Sequence, residues 1–415
     1  MIPTLALTEV TAARFLDRGR GDAAAARVAG RIVSDVRRRG EAALRAWTRR
    51  LDGAVPAGAF RVSPAEIARA ARAADPGFRR QLLRAARNVR RVARRQLPAE
   101  WTVAVEPGVR VSQRVRPLAS VGCYVPGGRY PLISTLVMTA VPAQVAGVAR
   151  IAIACPRPSL ELLAAASALG VTEIWRVGGA QAIAALAYGA GRLAAVEKIV
   201  GPGNRYVAAA KQLVASDVAI DMVAGPTEVL VVATRGNARF IAADLVAQAE
   251  HDPAAVALLV TPSRALARRV SDEVRRQLAA LPRTSPAARA LATRGAILVA
   301  PDLGAALRFA RRYAPEHLSL PGGRELLRAL DVAGSVFVGP YSAQSAGDFA
   351  TGSNHALPTG GTARVRGGLS AADFVRCVSV QEVSRAGLRR LAPVVRALAA
   401  AEGLPAHGRA TEVRL

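Results

Sequence analysis

The chain has 415 residues, 51% of them hydrophobic and 21% charged, with 57 basic against 30 acidic side chains and a formal net charge of +27. Apolar content this high over such a length buries a substantial core in two or three domains and excludes a disordered or fibrous class. The basic residues are arginines except for Lys198 and Lys211, and their excess invites a nucleic-acid reading.

Residues 1 to about 100 read as helices. Over 76–97 the arginines Arg80, Arg84, Arg87, Arg91 and Arg94 recur at steps of four and three, while Leu82, Ala86, Val89 and Ala93 recur on another face. This predicts an amphipathic helix with a basic stripe, which serves either as a solvated face or as a phosphate-binding surface. From about residue 115 short apolar runs alternate with Gly/Pro turns and helical segments, the βαβ rhythm of a parallel sheet. Strands are expected at 150–155, 173–177, 198–200, 228–233, 255–260, 296–300 and 335–338. They are almost continuously apolar, as when helices cover both faces. The stretch 339–368, rich in Gly, Ser, Thr and Ala, reads as a functional loop. Residues 371–401 read as helical, before a short tail.

Cys123, Cys155 and Cys377 have no paired spacing, so neither a disulfide framework nor a zinc ribbon is expected, and a reducing compartment, the cytoplasm, fits. The first 21 residues lack the apolar stretch of a secretion signal. The most apolar region, 136–155, is interrupted by Thr139, Pro142, Gln144 and Arg150 and cannot cross a bilayer unbroken, so no membrane association is expected.

Three glycine-rich turns, 122–128, 178–181 and 201–204, carry candidate chemistry. The second and third each follow a strand and open a helix, an arrangement that favours an anion, yet none completes the G-x-G-x-x-G dinucleotide fingerprint. They read either as ordinary strand-to-helix turns or as parts of a nucleotide site. The four histidines are more informative. Gln248 and His251, three apart, lie on one helical face and form either a surface pair or a ligand pair. Glu316 and His317 are an adjacent carboxylate and imidazole after a proline, able to move protons near neutral pH if both face one pocket; in a strand they would point apart, so the pairing calls for a loop. Asp348 and His355 lie in the long loop, as a cation ligand and a substrate partner or as simple helix caps. His407 stands near the C-terminus. A Gln, His, Asp and His set would be a mixed N/O site suited to zinc.

With these residues laid out, the chain resembles the histidinol dehydrogenase family. The resemblance is carried by 121–128 (VGCYVPGG), 177–182 (VGGAQA), 198–204 (KIVGPGN), 224–229 (AGPTEV), 248–251 (QAEH), 313–318 (YAPEHL), 345–358 (SAGDFATGSNHALP) and 402–407 (EGLPAH). It implies a zinc-dependent oxidoreductase making two successive NAD-dependent oxidations of L-histidinol, through the aldehyde, to L-histidine. By that resemblance Gln248, His251 and Asp348 are zinc ligands and His407 is the ligand supplied by the partner in a homodimer with shared sites. His317 is the base for alcohol oxidation, and Glu316 activates water for the second step. Thr227, His355 and Glu402 contact substrate together with the metal ligands and the catalytic pair, Glu402 from the partner chain. Tyr124, Gln181 and Asn204 contact NAD.

The implied fold is α/β, with two incomplete Rossmann-like lobes, parallel sheets and small terminal extensions in an intertwined dimer. The divisions are an arm at 1–18, a first lobe at 19–123 and 228–370, a second lobe at 124–227, and a helical extension at 371–415 reaching the partner's site. Two departures stand out. Thr227 replaces the family's common serine, keeping the hydroxyl, and Gly360-Gly361 replaces a glycine followed by an aromatic, which bears on the packing of that loop. The alternatives are a paralogue that oxidises another small alcohol and a nucleic-acid-binding protein using the basic helix; with every motif residue filled, the enzyme reading leaves no nucleic-acid partner expected.

Overall fold

The computed structural model describes residues 2–18, 22–53, 59–127 and 132–415. Gly128, the last residue of the first glycine turn, lies outside the described residues. Two parallel sheets dominate. One joins, in spatial order, Glu173–Trp175, Arg150–Ala154, Ser120–Tyr124, Lys198–Val200 and Ala219–Ile220. In chain order these are its third, second, first, fourth and fifth strands, the order of a nucleotide-binding half, and the chain reverses direction across the sheet between Ser120–Tyr124 and Lys198–Val200.

The other sheet repeats that order with Val256–Thr261, Glu228–Val232 and His317–Leu320 at its centre, Ala296–Val299 and Ser335–Val338 outside them, and Thr4–Ala6 added at one edge. Its central strands are buried except for the half-buried Val256, because helices cover both faces and leave no solvated side to alternate toward. The expected strands from 150 onward are thus present to within a residue or two at each end.

The helix over 76–97 is present as Pro76–Gln96, with Leu82, Ala86, Val89 and Ala93 buried as its pattern requires. Asp75 caps its first turn by accepting the N–H of Phe78 at 2.6 Å. Its buried stripe packs on Ile133–Ala146, while Pro64–Ala73 packs on Leu160–Ala168 and Ala23–Arg39 packs on Gly179–Tyr188 and Arg205–Val214. These contacts correct the division that assigned 19–123 to the first lobe. The helices between Ala23 and Gln96 clothe the sheet of 120–220, since their apolar stripes are buried against its helices.

Two further expectations are corrected. Residues 1–100 are not wholly helical, because Thr4–Ala6 pairs with Ala296–Val299. Residues 371–401 are not one helical region either: between the 3-10 turn Ala371–Phe374 and the helix Arg385–Ala401, Val375–Val383 is a strand antiparallel to Val109–Pro117, which pairs in turn with Trp101–Glu106. The valines at 375, 378, 380 and 383 supply the β-branched residues that favour the strand. Within 339–368 the chain forms a short helix, Gln344–Phe349. Among the described residues, no helix is long and apolar enough to cross a membrane.

Candidate active site

The strands Glu228–Val232 and His317–Leu320 run side by side in parallel with His317 opposite Val229, so the residues at their amino ends share one rim. Glu316 is delivered there by a tight turn. The helix Leu303–Tyr313 stops at Ala314, whose φ of 47° makes it the one non-glycine residue with positive φ among those described, and Pro315 follows. The Glu316 carboxylate then turns back over the rim, where its Oε2 accepts the backbone N–H of Glu228 at 2.7 Å and the Thr227 hydroxyl at 2.6 Å. His317 starts its strand with Nδ1 3.5 Å from that same oxygen. Glu316 and His317 therefore meet although no loop holds both, because the carboxylate folds back before the alternation of the strand begins.

His317 Nδ1 lies 3.1 Å from the Glu228 carbonyl, which can only accept, so Nδ1 carries a proton in either charge state and Nε2 is the nitrogen left free when the ring is neutral. Nε2 is buried without a hydrogen-bond partner, its nearest neighbour in that direction being Asp348 Oδ1 at 3.6 Å. Burial opposes a charge on this ring, but the carboxylates of Glu316 and Asp348 outweigh it and raise its pKa from 6.5 to about 10. Burial likewise acts to raise Asp348, and His317 holds it below the ordinary carboxylate value. His355 is anchored behind Asp348 through Nδ1 to the Asp348 carbonyl at 2.9 Å, and burial lowers its pKa.

Gln248 is fully buried at the end of Ala238–Ala249. Its Nε2 donates to the Thr227 hydroxyl at 2.7 Å, which in turn donates to Glu316, so the hydroxyl kept at this position is a relay between the two. The Gln248 oxygen accepts from Gln344 Nε2, and Gln344 Oε1 is buried with no partner. Next to this cluster, His251 is exposed on the wall of a cavity of about 840 Å³ shared with Phe78, Met138, Glu250, Phe349 and Thr351. The loop after Asp348 joins the two lobes at this cavity, with Asn88 Nδ2 donating to the Ala350 carbonyl at 2.8 Å and Asn354 Nδ2 to the Met138 carbonyl at 2.7 Å.

The Gln248 amide oxygen, the Asp348 carboxylate and the His251 imidazole are donors of the type a borderline divalent cation takes, with His317 Nε2 and Gln344 Oε1 buried and unpartnered beside them, although Gln248 Oε1 is held by Gln344 and His251 faces the adjacent cavity. Glu402 and His407 do not join this cluster. They are exposed on the C-terminal helices, and no group of three or more His, Cys, Asp and Glu arranged for a metal exists among the described residues.

A charge pair that the sequence reading missed lies behind the rim. Glu228 is buried and takes both oxygens to Arg18 at 2.8 Å, with further bonds from the Tyr313 hydroxyl at 2.8 Å and the Gly360 N–H at 3.0 Å. Arg18 also stacks 3.9 Å over the Tyr313 ring. Burial raises the Glu228 pKa, and Arg18 and Tyr313 oppose it. The glycine at 361, the departure noted in the sequence, makes room for this arrangement: a Cβ there would stand 2.9 Å from Arg18 Nη2. The one signal in the sequence was an acidic residue opening an otherwise apolar strand, EVLVV. Gln344 carried no signal at all.

Tyr124, Gln181 and Asn204 gather at the carboxyl ends of the other sheet, where its strand order reverses. The buried Tyr124 hydroxyl accepts the Gly179 N–H at 3.1 Å, and burial pushes its pKa up to about 12. Gln181 is buried with Oε1 unpartnered. Asn204 Oδ1 caps Arg205–Val214, accepting from Tyr206 and Val207 at 3.0 and 3.1 Å.

Residues 17–415 match the family model described as histidinol dehydrogenase. Among curated proteins, the histidinol dehydrogenase of Moorella thermoacetica is 47% identical over 394 residues, covering 92% of each chain, and that of Methanothermobacter thermautotrophicus is 44% identical over 393 residues with the same coverage. The crystal structure of histidinol dehydrogenase from Elizabethkingia anophelis superposes with a TM-score of 0.93 at 34% identity, covering 100% of this chain and 98% of the other. A match of this extent, in sequence and in fold, places the chain in the histidinol dehydrogenase family.

Proposed function

We propose that this chain oxidises L-histidinol through L-histidinaldehyde to L-histidine in two NAD-dependent steps, the last of histidine biosynthesis, in the cytoplasm. The observation that carries this reading is the Glu316–His317 pair, with one unpartnered imidazole nitrogen facing Asp348, in a chain of this family. Gln248, His251 and Asp348 would hold zinc from one chain and His407 from a second copy, the metal supplying a Lewis acid that anchors the amine and imidazole nitrogens of histidinol.

His317 Nε2 takes the hydroxyl proton as the carbinol carbon gives up hydride, and its Nδ1–H stays on the Glu228 carbonyl. For that role the ring must be neutral. Cations bound in the site would compensate Glu316 and Asp348, whose pull otherwise keeps the ring charged. Glu316 then takes a proton from the water that adds to the aldehyde, oriented by Thr227 and the Glu228 N–H. Holding the aldehyde between the steps keeps a reactive compound from solvent, which gives a physical reason for one site to do both.

His355 and, from the second copy, Glu402 contact substrate in this reading. Tyr124, Gln181 and Asn204 hold NAD, the hydride acceptor, and residues 371–415 form the extension that completes the neighbouring site.

The test is NADH formation from histidinol in zinc-replete protein, with two NADH expected per histidinol and loss of activity on chelation. A chain that reduces NAD with another small alcohol but not with histidinol would be the paralogous dehydrogenase instead.

A further inference from the structure

Two of the 57 basic residues are lysines, and both flank one loop. Lys198 opens the strand Lys198–Val200, Lys211 lies on the helix Arg205–Val214, and the loop 201–204 runs between these elements. They are 9% and 2% exposed. A compact ammonium can turn its three N–H groups to oxygens on different sides of a tight buried site, where a wide planar guanidinium cannot fit. In a chain that uses arginine at every other basic position, lysine occurs only where burial imposes that constraint.

Lys211 Nζ donates to the Gly201 carbonyl at 3.0 Å and forms an ion pair with Asp221, itself 3% exposed. Asp221 Oδ2 accepts the Gly201 N–H at 2.7 Å, and its Oδ1 accepts the Met222 N–H at 2.6 Å. Both backbone polar groups of Gly201 are thus held by one buried pair. Gly201 has φ of 114°, and a Cβ on it would lie 2.2 Å from the Tyr124 carbonyl oxygen, so the loop is pressed directly against the end of the strand that carries Tyr124. Three residues on, Asn204 caps the helix from which Lys211 reaches back.

A buried ion pair adds little net stability over apolar residues of the same volume, so the geometry it imposes is the better account of its presence. We propose that Lys211 and Asp221 are positioning residues for the dinucleotide: by gripping the N–H and C=O of Gly201 they hold Tyr124 and Asn204 in register for NAD without touching it. This rests on reading Tyr124, Gln181 and Asn204 as the NAD contacts.

The experiment is a fluorescence titration with NADH, alongside steady-state kinetics, on the wild-type chain, Lys211→Arg and the double variant Lys211→Met/Asp221→Asn, which removes both charges so that neither is left buried alone. The expected result is NADH affinity and the KM for NAD weakened about tenfold in the double variant and by less in Lys211→Arg, while the KM for histidinol moves less than about twofold and a cooperative melt is kept. NADH affinity within about twofold of wild type would overturn the proposal. So would nucleotide and histidinol terms that worsen together, or loss of the fold in both variants, since the pair would then be a general core contact. A wild-type chain that binds NADH but leaves histidinol untouched would sink the functional reading alone, and one that binds no NADH would sink both.

Discussion

The two parallel sheets share a strand order but are put to use at opposite edges. In the sheet of 120–220 the candidate nucleotide contacts lie at the carboxyl ends of Ser120–Tyr124 and Lys198–Val200, the place where the order reverses and a crevice opens. In the sheet of 228–338 the candidate proton-moving groups lie at the amino ends of the equivalent pair, Glu228–Val232 and His317–Leu320. The difference follows from what each edge offers. At a carboxyl edge, helix N-termini present free N–H groups that suit phosphates. At an amino edge those helix dipoles are absent, and the rim instead offers a strand N–H and carbonyl, the first of which seats the Glu316 carboxylate and the second the His317 Nδ1 proton. One strand order repeated twice thus carries the proposed anion site and the proposed proton-transfer site on edges that differ electrostatically.

The comparison breaks most visibly at His317. His317→Ala is expected to lower histidinol oxidation by about 10²-fold or more, Glu316→Gln mainly to slow oxidation of added aldehyde, and neither to change NADH affinity, since the proposed nucleotide contacts lie on the other sheet. Equal losses for both steps in both variants, measured by NADH formation from each substrate, would contradict the division of labour.

Arg18→Met should destabilise the folded chain by about 3 kcal/mol, because it leaves Glu228 buried without its counter-charge. Urea unfolding measures this, and a loss confined to the sheet of 228–338 would appear in hydrogen exchange.

A smaller effect is expected from Thr227→Val, which removes the relay between Gln248 and Glu316 while keeping the shape; kcat/KM for histidinol should fall about tenfold with stability little changed.

A pH-dependent effect concerns Asp244, on the helix that carries Gln248. Burial raises its pKa from 3.8 to about 6, opposed by the Gln344 N–H. A raised carboxyl stabilises the fold when protonated, below pH 4, and that stability is lost as pH rises through 6. Asp244→Asn should therefore raise the melting temperature at pH 8, by the equivalent of about 3 kcal/mol at most, and leave it nearly unchanged at pH 4. No difference between the two pH values would show that the side chain is better solvated than its setting implies.

Periodicity and motif spacing made much of this molecule readable in advance. The amphipathic stripe of Pro76–Gln96, the strands from 150 onward and the residues Glu316, His317, Gln248 and Asp348 all follow from local pattern or motif, and the last four do meet. Val375–Val383 was harder, because a strand whose partner lies more than 250 positions earlier has no local signature beyond its valines. The same reasoning holds at the site. Arg18 and Gln344 reach their partners from 210 and 96 residues away, so no spacing rule contains them.

The amino-acid sequence by itself determined the α/β class, the family and the identity of the chemical groups, since each depends on residue type and local periodicity. Which atoms of those groups are free was decided by the tertiary structure. The Nδ1–H of His317 held on the Glu228 carbonyl, the hydroxyl of Thr227 spent on Glu316, and the lysine and aspartate closed around Gly201 each depend on groups that packing brought together. A hydrogen bond needs about 3 Å and a direction, and only the folded chain supplies both.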